Sequence, residues 1–381
     1  MNLFELSKSY FPFAQDLRRT LHAIPELGHC EEKTSLQCKK LLEDWGYEIR
    51  EMAGFGFVAD LKINETSSLL AFRADMDALP FDEENNLPFK STHKGMAHLC
   101  GHDLHMSIAI ATAKLLSEHR HLLKKNIRFI FQPAEEIPPG GAIEMIKAGA
   151  LDGVTEIYGL HNDPQTERGI IKTRCGSFTA SGDQFNLTIK GKGTHAATPH
   201  LGLDPIWAGS KLICDWQSML GRFFHPLNTQ IISVTKFHAG NSNNVIPEAA
   251  ELGGTIRCFL QEDRLKIKEM MEKSLEQLNS LGYICSFDYL TGYDSIVNSE
   301  SSVERSLDAL KQFAAKEVTF VSNARPYVWG EDFTYYLQKV NGCFFTVGSA
   351  SLAPLHSPFY DPQEECMIEG IYLFSALGFA L

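Results

Sequence analysis

A chain of 381 residues is longer than one hydrophobic core usually supports, so the sequence is read as two domains. Its 44% hydrophobic and 22% charged content fits a globular protein, and a formal net charge of −12 leaves no broadly basic surface for nucleic acid. No stretch approaches the roughly 20 apolar residues of a membrane span. Near the amino terminus Glu5, Lys8 and Asp16 interrupt the apolar residues, which argues against a signal peptide. Nine cysteines, odd in number and widely spaced, read as reduced thiols of a cytoplasmic protein. The glycosylation sequons at Asn64 and Asn186 are then chance matches.

Along the chain, helices are expected over residues 13–23 and 34–45, closed by Pro25 and Gly28 and by Gly46. Strand-like runs follow at 56–63 and 68–74, then a helix over 103–119, a strand over 126–131, a helix over 141–148 and a strand over 155–160. Helices alternating with apolar runs predict an α/β fold, a mostly parallel sheet covered by helices on both faces. From residue 179 the texture changes. Strands at 184–190, 230–238, 250–259 and 283–289 interleave with helices at 204–220 and 262–281. That strand-helix-strand-strand-helix-strand order predicts an inserted α+β unit of the ferredoxin-like kind over residues 179–289. Residues 1–178 and 290–381 form the larger domain.

Four segments carry metal-ligand or acid-base side chains where β-like runs end. They are Arg73-Ala74-Asp75-Met76-Asp77, Cys100-Gly101-His102-Asp103-Leu104-His105, Gln132-Pro133-Ala134-Glu135-Glu136 and Gly159-Leu160-His161. In an open parallel sheet these ends share one crevice. Cys100 and His102 can hold one metal through thiolate and imidazole, with Gly101 letting the backbone pass close. His105 is placed as a core histidine or as a support behind the ligands. Adjacent carboxylates such as Glu135-Glu136 are usually a solvated pair. Here they follow an apolar strand and precede Pro138-Pro139-Gly140-Gly141, a setting in which one can hold metal while the other handles protons. His161, and His356 in Pro354-Leu355-His356-Ser357-Pro358, would each alone be read as structural. Thiolate, imidazole and carboxylate together suit zinc, manganese or cobalt better than calcium or magnesium.

At these residues the sequence resembles the M20 metallopeptidase family, in the amidohydrolase branch of hippurate hydrolases, auxin-conjugate hydrolases and N-acetyldiaminopimelate deacetylases. The likeness starts at Leu21-His22-Ala23-Ile24-Pro25-Glu26-Leu27-Gly28 and runs through the four segments. It continues into Gly193-Thr194-His195-Ala196-Ala197-Thr198-Pro199-His200, Asn243-Asn244-Val245-Ile246-Pro247, Gly254-Thr255-Ile256-Arg257, Gly330-Glu331-Asp332-Phe333 and Leu355-His356. The resemblance implies two divalent ions, manganese or zinc with cobalt or nickel as alternatives. Their ligands would be Cys100, His102, Glu136, His161 and His356, with Cys100 as bridge. It implies Glu135 as general base and Asp75 or Asp77 as the acidic residue orienting a ligand. The inserted unit becomes a lid that also mediates a homodimer, on which His195, Asn244 and Arg257 hold the substrate. Leu99, Ala97 and Ile137-Pro138 depart from the family's usual residues and bear on the acyl pocket.

The expected activity is hydrolysis of the amide bond in a small N-acyl amino acid. Glu135 would take the water proton and return it to the amine, and Arg257 would pair with the free carboxylate. The alternative of the same architecture is a dipeptidase or aminoacylase acting on short peptides. A pure metal-binding protein has no use for a spare carboxylate beside a ligand. No Gly-x-Gly-x-x-Gly follows the early strands and no Gly-x-Ser-x-Gly occurs, which sets aside a dinucleotide enzyme and a serine hydrolase.

Overall fold

The computed structural model describes residues 2–64 and 68–381, so the sequon at Asn64 lies partly outside the described residues. The chain divides into two compact units. One comprises Met1–Phe178, Val297–Arg325 and Asp332–Leu381, and the other Thr179–Ile296 with Pro326–Glu331.

The larger unit is built on an eight-stranded sheet. Its order is Glu48–Met52, Gly56–Leu61, Asn126–Gln132, Leu69–Asp75, Val154–Asp163, Asn341–Gly348, Ile170–Lys172 and Thr319–Val321. The four strands from Asn126–Gln132 across to Asn341–Gly348 run parallel. Antiparallel pairing enters at the flanks, and its cause is local on one side. Only Ala53-Gly54-Phe55 separates the first two strands, and Ala53 and Gly54 take φ of 50° and 74°. A connection that short can join only antiparallel neighbours.

Side chains alternate across this sheet. Leu70, Phe72 and Ala74 enter the main core, where Phe72 packs on Phe129 at 5.4 Å and on Phe374 at 4.8 Å between ring centroids. The helices His102–Glu118 and Cys366–Ala380 cover that face. On the last parallel strand Phe345 faces the same core, whereas its neighbour Phe344 packs against Phe333 at 4.9 Å on the opposite face. Gly159 is required there, because a Cβ would lie 2.7 Å from the Phe333 ring.

The smaller unit has an antiparallel four-stranded sheet in the order Gln230–Ala239, Ala249–Cys258, Ser181–Lys190 and Ile284–Leu290. Phe185, Leu187 and Ile189 alternate into its core. Helix Pro205–Phe223 starts where the Asp204 carboxylate accepts from the Ile206 and Trp207 amides. It buries Ala208, Leu212, Trp216 and Met219, spaced four, four and three residues apart as one helical face requires. Helix Gln261–Ser280 repeats the pattern with Ile267, Met271, Leu275 and Leu278. Among the described residues no helix is long and apolar enough to cross a membrane.

Replacing Phe72 by Ala should remove about 3–5 kcal/mol from the stability of the larger unit, the usual cost of emptying a well-packed aromatic site. Urea unfolding of the variant checks this. A loss below about 1 kcal/mol, the level of an ordinary surface substitution, would show that the sheet does not depend on this contact.

Candidate metal centre

The parallel strands bring their carboxyl ends together. Asp75 pairs in register with Gln132, and His161 with Thr346. The residues just past these ends therefore meet, and each is fixed by the backbone around it.

Gly101 precedes helix His102–Glu118 in the left-handed region at φ 89°, and a Cβ there would strike the Asn162 amide nitrogen at 2.2 Å. Only glycine permits this approach. The Asn162 Nδ2 donates to the Cys100 carbonyl at 2.7 Å, which places the thiol 3.4 Å from His161 Nε2. His161 Nδ1 donates to the Asn162 carbonyl at 2.7 Å, so Nε2 is the nitrogen turned toward Cys100. His102 is set the same way, its Nδ1 donating to the Asp77 carbonyl at 2.8 Å.

The Asp77 carboxylate holds the third segment. It accepts from the Glu135 amide at 3.0 Å and from the Glu136 amide at 2.9 Å. Glu136 Oε1 reaches to 3.2 Å from His356 Nε2. His356 itself sits at φ 65° and donates its amide to the Leu99 carbonyl at 2.8 Å. Asp75 is fully buried between Arg73 and His105, whose Nδ1 lies 2.7 Å away.

The donor atoms group tightly. Atoms of Cys100, His102 and His161 lie within 4.8 Å of one another, as do those of Cys100, Glu136 and His356. Cys100 belongs to both triads. His102 Nε2 is buried and makes no hydrogen bond to a described residue. Facing it are Asp75 Oδ2 at 3.8 Å, Glu136 Oε1 at 3.9 Å and Glu135 Oε2 at 4.0 Å. An imidazole lone pair directed among carboxylates slightly too distant for hydrogen bonds fits a cation in the space between. Borderline-soft donors of this kind suit a transition metal or zinc.

Electrostatics agree. Burial alone would lower the His102 pKa, but Asp75, Asp77 and Glu136 raise it to about 10. His161 is driven down to about 3, by burial and then by the neighbouring His105, so its ring is neutral, the form in which an imidazole ligates. Burial, reinforced by Glu136 and Glu135, pushes the Cys100 thiol well above its ordinary value. Burial would also raise Asp75, yet Arg73, His102 and His105 hold it well below the usual carboxylate range.

Two groups of supporting residues escaped the sequence reading. Asn162 ties Cys100, His161 and the amide-to-His105 contact at 3.1 Å into one unit, and its position beside His161 was the available signal. Behind the helix start, Asp103 accepts from Arg18 at 3.0 Å and contacts His22 Nδ1 at 2.8 Å. That pairing spans more than 80 residues and leaves no local trace.

His195, Asn244 and Arg257 lie in the smaller unit. His195 pairs with Val245 in a two-residue ladder, and the Ala196 amide donates to the Asn244 carbonyl at 2.9 Å, so these two stand together. His195 Nδ1 accepts from the Ala197 amide at 3.1 Å, which leaves Nε2–H as the donor. Arg257, on strand Ala249–Cys258, donates from Nη1 to the Ile256 carbonyl at 3.0 Å.

The sequence and structure comparisons lead to one family. A sequence model of Peptidase family M20/M25/M40 matches residues 71–378. The chain belongs to this family. It is 37% identical to the N-acetylcysteine deacetylase of Bacillus subtilis (strain 168) over 366 residues, 95% of each chain. It is 35% identical to the N-acetyldiaminopimelate deacetylase of Halalkalibacterium halodurans over 365 residues, 93% of this chain and 96% of that one. Among solved structures, B. subtilis YXEP, a dinuclear metal binding peptidase from the M20 family, matches with a TM-score of 0.85 and 34% identity, covering 98% of both chains.

The raised thiol pKa gives a test of the centre without metal. In the metal-free protein at pH 8, Cys100 should alkylate at least about tenfold more slowly than the exposed Cys30, Cys175 and Cys214, because the thiolate is the reactive form. Peptide mapping after timed iodoacetamide treatment measures it. Equal rates would mean that the thiol is neither buried nor suppressed by its carboxylate neighbours.

Proposed function

We propose that this chain is a metal-dependent amidohydrolase that removes the acyl group from small N-acylated amino acids. The observation carrying the reading is the sharing of Cys100 by two donor triads with a further carboxylate, Glu135, on the same loop as Glu136. We assign Cys100, His102 and His161 to one divalent ion and Cys100, Glu136 and His356 to a second. Manganese or zinc suits this donor set, with cobalt or nickel as alternatives. When bound, such a pair would lower the pKa of a water and polarise the amide carbonyl.

The rest falls to the chain's own residues. The Glu135 carboxylate takes the proton from the attacking water and delivers it to the nitrogen of the departing amine, one group acting as base and then acid. Asp77 keeps Glu135 and Glu136 in register, because both amides point at its two oxygens. Asp75 orients His105 and sets the field at His102. On the smaller unit, His195 would offer Nε2–H to the developing oxyanion, Asn244 would add an amide donor, and Arg257 would pair with the free carboxylate through its planar fork. That unit is assigned as lid and as the dimer contact. The N-acyl amino acid specificity is supported by the deacetylases that the chain resembles over nearly its full length. Nine free cysteines suit a reducing cytoplasm.

Two variants separate the adjacent glutamates. Glu135→Gln keeps the size and hydrogen bonding of the side chain but cannot accept the water proton. Turnover of N-acetyl amino acids should fall by about 10²–10⁴ while metal content and melting temperature hold. Glu136→Ala should lose bound metal, and with it activity and the stability that an ion bound only by the folded state confers. Metal stoichiometry and turnover, measured side by side with a free dipeptide as control substrate, decide the matter. A metal-depleted Glu135→Gln beside a fully loaded Glu136→Ala would reverse the assignment, and a fully active Glu135→Gln would end it.

A further inference from the structure

Ala134, the residue before the glutamate pair, has φ of 52°, a left-handed backbone that alanine rarely adopts. Its two backbone groups are tied from different directions. The carbonyl accepts from the Gly141 amide at 3.0 Å, and the amide donates to Glu31 Oε1 at 2.8 Å. Glu31 is distant in sequence and fully buried, and its second oxygen has no hydrogen-bond partner among the described residues. It stands as the N-cap residue of helix Glu32–Asp44, a rigid base for the contact.

The segment leading to Glu31 braces the same region. The Ala78 amide donates to the Glu26 carbonyl at 2.8 Å, directly after Asp77. Gly28 lies so close to the glutamate loop that a Cβ there would come within 2.7 Å of Ile137 Cδ1 and 3.1 Å of Ala134 Cα. Residues 26–31 thus touch both the segment carrying Asp77 and the turn that delivers Glu135. From this we infer that Glu31 is a positioning residue for the reaction: by holding the Ala134 amide it fixes the left-handed turn that aims the Glu135 carboxylate. Its partner is a backbone N–H, so what matters is an acceptor at Oε1.

This inference rests on Glu135 being the base, and its test has an arm that does not. Glu31→Gln keeps the acceptor. Glu31→Met keeps the length and loses it. Burial, with Asp77 adding to it, raises the Glu31 carboxyl to about 7, so a neutral amide is a close substitute. With metal-loaded protein and an N-acetyl amino acid, Glu31→Gln should stay within about twofold of wild type. Glu31→Met should lose about 10- to 100-fold in kcat with KM little changed, the cost of a misaimed group. Metal content should be equal in all three.

The independent arm is amide hydrogen exchange of the peptide containing residues 134–136 in metal-free protein, expected to be faster in Glu31→Met and protected in Glu31→Gln. If Glu31→Met does not fold, Glu31→Asp, one methylene shorter, withdraws the acceptor and makes the same comparison. Unchanged kcat and exchange in the Met or Asp variant would overturn the inference. So would a loss in Glu31→Gln as large as in Glu31→Met. Should Glu135→Gln prove fully active, the exchange comparison still judges Glu31 while the reading of the base falls.

Discussion

The centre is governed by a charge imbalance. Within about 4 Å of the buried His102 Nε2 lie three carboxylates, from Asp75, Glu135 and Glu136, with the Cys100 thiol sharing a candidate donor triad with the same histidine. The donor oxygens of Glu135 and Glu136 lie within 4.8 Å of each other, and two like charges at such a separation cost about 3–4 kcal/mol at an effective dielectric of 20. Arg73 answers Asp75 but lies behind it. The remaining negative charge faces the space among these donors and calls for cations there. Without them the site draws a proton onto His102, as the rise of its pKa to about 10 reflects.

Such a cluster survives only because the backbone leaves its members little freedom. Parallel strands set the rough positions, and local hydrogen bonds refine them. The Asp77 carbonyl chooses the His102 tautomer, while its carboxylate clamps the glutamate loop. Asn162 does the equivalent for Cys100 and His161. Buried carboxylates therefore serve two different ends. Some keep their oxygens on backbone amides and give up freedom to fix the site. Glu136 instead turns Oε1 toward His102 and His356.

Much of this was legible in the sequence, for physical reasons that differ by element. Amphipathic helices such as Gln261–Ser280 declare themselves through spacing, and the strand Ser181–Lys190 through alternation. The terminal helix Cys366–Ala380 does not, since it is buried on all sides and has no polar face to mark its period. The candidate ligand segments were weak signals one by one, and it was the resemblance to the M20 family that joined Cys100, His102, Glu136, His161 and His356 into one set. Their supports left no such signal, because Arg18 to Asp103, or Arg73 to Asp332 at 2.8 Å, join residues far apart in the chain. Nor does anything local announce that the amide of Ala180 is taken by the carbonyl of Tyr327 at 2.9 Å, which draws Pro326–Glu331 into the smaller unit. Of Asp75 and Asp77, sequence alone could not choose. The geometry divides the work, with Asp77 holding the loop and Asp75 facing the histidines.

The most direct test of a binuclear centre is anomalous X-ray diffraction from crystals of the protein reconstituted with manganese or zinc. The account predicts two peaks sharing the Cys100 sulfur. One should lie at coordinating distance, about 2.0–2.3 Å, from His102 and His161, and the other from Glu136 and His356. A single peak that leaves one triad empty, or peaks bound only by other side chains, would contradict it.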